Sequence, residues 1–125
     1  MKNWFIAIVF ILLIGFAAFQ SIYLSHVTED LLAVSQQAQA AYYSDQSEKA
    51  MDTSQSLLLL WEQYKPALTS LIDHGELDDI QIELLNLLSD MSAGNDQQIP
   101  ATFARLDYSI AHIGQIDAFG LGNIF

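Results

Sequence analysis

From Trp4 to Leu24 the chain runs for 21 residues without a charged side chain, and that stretch constrains everything else it can fold into. As a helix it rises about 32 Å, against a bilayer hydrocarbon core of about 30 Å. A helix also satisfies its own backbone N–H and C=O groups, which lipid cannot do. Trp4 and Tyr23 stand near its two ends, where amphipathic rings favour the membrane interface. Residues 1–24 are therefore the expected anchor in the lipid bilayer, with Trp4, Phe5, Leu12, Leu13, Phe19 and Tyr23 as its lipid-facing side chains, and residues 25–125 are the expected exported domain. Lys2 lies on one flank and Glu29 and Asp30 on the other, so the positive-inside bias predicts a single pass through the cell membrane, N-terminus cytoplasmic and body extracytoplasmic. A cleaved signal peptide is the competing reading, with Gly15 and Ala17 as the small residues before a cut. The apolar run continues through Phe19, Ile22, Tyr23 and Leu24, which favours retention.

The charges sit on the other side of that run. All fifteen Asp and Glu lie at Glu29 or later, facing only Lys49, Lys65 and Arg105. A body so acidic repels phosphate backbones, which excludes nucleic acid as a partner class. The chain has no cysteine, so disulfides and thiolate metal sites are excluded as well.

Beyond Leu24 apolar residues recur at helical spacing and no stretch alternates as a strand does. A first stripe is Val27, Leu31, Val34, Ala38 and Ala41, with no breaker between it and the anchor, so the two can form one rod. Tyr42-Tyr43-Ser44 reads as a turn, and Asp45 with Glu48 reads as a capping box opening the next helix. That helix carries Met51, Leu57, Trp61, Tyr64, Leu68 and Leu71; its seam keeps phase across Pro66, which predicts one continuous kinked helix. Gly75 is the expected left-handed stop, with His74 in the last turn before it. A third helix follows on Leu77, Ile80, Leu84, Leu87 and Met91, with Asp78 and Asp79 in its first turn and its end at Ser92-Ala93-Gly94-Asn95. A fourth is expected to begin at Asp96, to tolerate Pro100 in its first turn, to bury Ile99, Phe103, Leu106, Ile110 and Ile113, and to end near Gly114. The expected fold is all-α: a transmembrane helix followed by an antiparallel up-down-up-down four-helix bundle. Its core would centre on Leu57, Trp61, Tyr64, Leu68, Leu84, Phe103, Leu106 and Ile110. In that topology the turn after the second helix and the end of the fourth return toward the membrane. His26, His74 and His112 then gather at one end, and the tail from Phe119 to Phe125 comes near the bilayer, where packing over the base of the bundle is its expected use.

Chemistry is sparse. Asp73-His74-Gly75-Glu76-Leu77-Asp78-Asp79 is the densest group of potential ligands, and His74, Glu76 and Asp78 with His112 could hold a divalent ion. The plainer reading makes the acids helix-capping charges, and no EF-hand, HExxH or CxxC spacing is present. Three histidines on an exported surface could also titrate as a pH switch, though three are ordinary for this length. Ser44, Ser47, Ser54 and Ser56 lack a nucleophile elbow or an oxyanion loop. No catalytic residue and no cofactor is predicted.

On the N-terminal span, Trp61, the turn Leu71-Ile72-Asp73-His74-Gly75-Glu76-Leu77-Asp78 and the ending Asn123-Ile124-Phe125, the chain resembles a family of short bacterial single-span membrane proteins defined only as a domain of unknown function. The resemblance covers the whole chain and implies a membrane-anchored helical protein of Gram-positive-type bacteria. It implies no activity, cofactor or catalytic residue. The expected function is a non-enzymatic module that binds or supports another envelope protein; with only Met1 to Asn3 inside, it would need a membrane partner to signal. A ligand- or divalent-ion-sensing bundle is the alternative, by analogy of fold with chemoreceptor domains. A metal-dependent enzyme comes third.

Overall fold

The computed structural model describes the backbone of residues 2–124 and the side chains of residues 2–115. Four helices follow one another: α1 Lys2–Tyr43, α2 Ser47–Leu68, α3 His74–Ala93 and α4 Ile99–Ile124. The charge-free run and the first amphipathic stripe form one unbroken helix of 42 residues, because no glycine turn, proline or capping residue interrupts them. α1 packs on α2 and α4, and α3 packs on the same two, while the backbones of the diagonal pairs stay apart among the described residues. With turns this short, consecutive helices run antiparallel, and the result is the square up-down-up-down bundle.

Each helix turns its seam inward. Leu57, Trp61, Leu68, Leu84, Phe103, Leu106 and Ile110 are buried, joined by Leu24, Val27, Leu31, Leu77, Ile80, Leu87 and Ile99. Trp61 and Phe103 are the largest side chains sealed inside. Tyr64 is half-buried at the margin of the core. The bundle grips α1 from Leu24 onward, so Leu24, counted by sequence with the anchor, belongs to the core. Before it α1 emerges from the bundle: Trp4, Phe5, Leu12, Leu13 and Phe19 are all at least 60% exposed, whereas Tyr23, expected among the lipid-facing side chains, is half-buried against the core and edge-on to the Tyr64 ring.

Several helix ends depart from expectation. Asp45 is not an N-cap; it takes a left-handed φ of 59° in the turn, Gln46 precedes α2, and no side-chain cap bond forms there. α2 passes Pro66 and stops at Leu68, so Leu71 lies in the connection. The stop is made by hydroxyls: Thr69 donates to the Pro66 carbonyl at 2.7 Å and Ser70 to the Ala67 carbonyl at 3.0 Å, taking up acceptors the helix end leaves free. Gly75 is not a stop. Asp73, in extended backbone, precedes α3, and His74 and Gly75 are its first two residues. Glu76 therefore occupies the first turn in place of Asp78 and Asp79, and His74 faces the start of one helix and not the end of another. Gly94 does close α3, at φ 71°, with the Asn95 N–H reaching back to the Asp90 carbonyl at 2.9 Å. Asp96 lies in the turn before α4, held by Tyr42, and the helix starts three residues later. Gly114 lies inside α4, which continues to Ile124.

Candidate functional site

The chain carries its distinctive chemistry in polar contacts along the α1–α4 and α1–α2 seams. Midway down the bundle Ser35 is fully buried and donates to Asp107 Oδ1 at 2.5 Å. Gln39, one turn along α1, donates to Asp107 Oδ2 at 2.7 Å and to Ser35 Oγ at 3.2 Å. Both carboxylate oxygens are thus engaged by α1, so the charge can lie in a half-buried seam without being left unpaired. Sequence reading placed Val34 in the stripe and overlooked Ser35. The α-helical period brings both positions near the inner face, and Asp107 draws the hydroxyl inward while Val34 packs at the edge. A serine spaced four residues from Leu31 and three from Ala38, with a carboxylate beside the Leu106 seam position, was the available signal.

Two further hydroxyls are sealed in the same half of the bundle. Thr102 donates to the Gln98 carbonyl at 3.0 Å and to Asp90 Oδ2 at 3.2 Å, and Ser54 points its hydroxyl at Met91 Sδ, 3.5 Å away. Trp61 Nε1 donates to Gln81 Oε1 at 2.7 Å, so the indole is both packed and satisfied. At the far end Tyr42 donates to the Asp96 carboxylate at 3.2 Å; loss of solvation and this acidic neighbour raise the Tyr42 pKa.

Where the uncovered half of α1 leaves the bundle, a second polar group assembles. Tyr64 donates to Asp30 Oδ2 at 2.5 Å, and His26 Nε2 lies 3.3 Å from the same oxygen. Ionising the phenol would set two negative charges together, so the hydrogen bond to Asp30, with desolvation, pushes the Tyr64 pKa up to about 12. On the opposite seam His112 Nε2 lies 3.7 Å from Glu76 Oε1. Its Nδ1 and the Thr28 hydroxyl oxygen are buried without a hydrogen-bond partner. A Cβ on Gly114 would stand 3.5 Å from that Thr28 oxygen, which shows how closely α1 and α4 approach here.

Of the four candidate metal ligands, the structure joins Glu76 and His112, while His74 and Asp78 are exposed. Among the described residues no group of three His, Asp or Glu side chains is placed to hold a metal ion. A groove of about 440 Å³ lies between α3 and α4 along Asp79, Ile82, Glu83, Arg105 and Tyr108. Its Arg105 is spent on Glu83 at 3.2 Å and on the Thr102 hydroxyl at 3.2 Å. The buried serines have no histidine against them, so none is set up as an activated nucleophile. What the polar contacts do is fix which residue of α1 meets which residue of α4 and α2.

Among the described residues one helix, α1, is long and apolar enough to cross a membrane. No curated protein and no solved structure matches the chain. A family model does, over residues 18–124, from the last turns of the uncovered helix to the end of the bundle. The chain belongs to the family described as a domain of unknown function, DUF4363.

Proposed function

We propose that the protein is a membrane-anchored helical module, exported and non-enzymatic, which binds or supports another envelope protein. The observation that carries this reading is the unbroken passage of α1 from an uncovered, charge-free half into a fully packed half. Sixteen of the twenty residues Trp4–Tyr23 are exposed, far more uncovered apolar helix than a water-soluble surface tolerates, which supports apolar surroundings for them. Because the same helix forms one wall of the bundle, anchor and bundle move as one body, and a push on either is passed to the other. The charge imbalance across the run supports a bundle on the outside. An interior filled by close-packed side chains supports binding on its outer faces more than enclosure of a small ligand. Exposed Leu59, Ile82, Leu85 and Tyr108 provide apolar contact points on those faces. Photo-crosslinking from Ile82 or Tyr108 in intact membranes should trap a second membrane or envelope protein. A chain that crosslinks only to itself or to lipid would count against the partner.

A further inference from the structure

We propose that α4 enters the membrane beside α1: its last two turns, from Ala118 to Ile124, are a second lipid-contacting element. This rests on the anchor reading above and adds to it. The register between the two helices is fixed twice, by Ser35 on Asp107 and by Thr28 against Gly114. Both pairs are separated by seven residues on each helix, so α4 advances one residue for each residue that α1 retreats. Ser21, Ser25 and Thr28 of α1 already line one groove with Ala111, Gly114 and Gln115 of α4. Carried onward, the register sets Asp117 level with Ser25, Ala118 level with Leu24 and Ile124 level with Ala18.

Followed toward the uncovered half, α1 carries its last Asp or Glu at Glu29, level with Ile113, and α4 carries its last at Asp117, level with Ser25. Two helices running in opposite directions thus lose their charges within about one turn of each other. From Ala118 to Ile124 α4 advances about 9 Å, comparable with the depth to which amphipathic helices bury their apolar faces. Its composition suits the place, with Phe119, Leu121 and Ile124 among alanine and glycine.

The bundle offers this segment little cover. Glu76 meets His112, so α3 starts at His74, level with Gly114. Tyr64 meets Asp30, so α2 stops at Leu68, level with His26. Beyond that height only the connection Thr69–Asp73 and α1 itself remain, and at the same level Phe19 and Ile22 of α1 are 65% and 71% exposed. Lipid that covers these two side chains also reaches α4.

Because the chain has no cysteine, single reporters can be placed freely. The full-length protein carrying Phe10→Cys, Leu121→Cys or Gln97→Cys, each labelled with an NBD fluorophore, would be reconstituted in phosphatidylcholine vesicles containing doxyl-labelled acyl chains. The expected result is strong quenching by the labelled lipid at positions 10 and 121, and none at Gln97 in the far turn. Ile124→Cys provides a second site nearly one turn deeper should Leu121→Cys misfold. Quenching at 10 with aqueous iodide quenching at 121 and 124 would leave the anchor standing and overturn the proposal. Shielding of 121 and 124 from both quenchers would overturn it in favour of protein cover, by the bundle base or a second copy. Absence of lipid quenching at 10 would overturn the anchor and the proposal together.

Discussion

Two side chains show how far single residues decide this fold. Ser35 occupies a core position that an alanine would fill as well by volume, yet its hydroxyl is what half-satisfies Asp107 in the α1–α4 seam. Ser35→Ala should destabilise the bundle by about 1–3 kcal/mol, the cost of leaving a partly buried acceptor short of a donor. Urea unfolding of the full-length protein in a non-ionic detergent, followed by Trp61 fluorescence, measures it. Tyr64 is the second case. Its folded pKa is raised above the ordinary phenol value, so its contribution to stability is complete below pH of about 10 and disappears as pH climbs through about 12. An alkaline titration followed by phenolate absorbance should show a late-ionising tyrosine that Tyr64→Phe removes and that Asp30→Asn brings down toward the ordinary value. The inward position of Ser35 was legible from its spacing, but neither pairing was, because hydrophobic periodicity sees only which positions face inward and not which polar pairs meet there.

At the scale of the element the reading by pattern succeeded in the middles of helices and failed at their ends. The stripes on α2, α3 and α4 were legible because apolar side chains at three- and four-residue spacing must share one face. Ends are local matters of backbone geometry. Gly75 looked like a left-handed stop, but α2 had already ended where the Thr69 and Ser70 hydroxyls donate to the carbonyls of its last turn, and the glycine was free to begin α3. Asp45 looked like a cap because of Glu48, whereas the turn required a positive φ and the aspartate supplies it. Gly94 alone did what was expected of it. Gly94→Ala should therefore cost about 1 kcal/mol or more in a urea melt, the penalty of a Cβ in left-handed backbone. The reverse change at the other turn, Asp45→Gly, should be neutral or stabilising by up to about 1 kcal/mol, since it relieves the same strain. Gly114 lies in helical backbone and calls for a different argument. A Cβ there meets Thr28 at ordinary contact distance, so Gly114→Ala should be tolerated and gain roughly 0.5–1 kcal/mol of helix propensity in the same melt. Gly114→Leu should pry α4 from α1 and lower the transition.

For the whole molecule the governing fact is that one helix is both wall and stalk. The four-helix architecture was legible from sequence because each seam alone is unstable in water and four of them close a core. The candidate metal cluster was less so, since its ligands were read from a linear run that the start of α3 splits into exposed and seam-facing members. Orientation across the membrane is the claim on which the proposed role stands. It is tested most directly by labelling Gln97→Cys, in the exposed turn between α3 and α4, with a membrane-impermeant maleimide on intact cells. Modification without lysis is expected, on a protein that sediments with membranes. Modification that appears only after the cells are opened, or a labelled protein free in the soluble fraction, would contradict it.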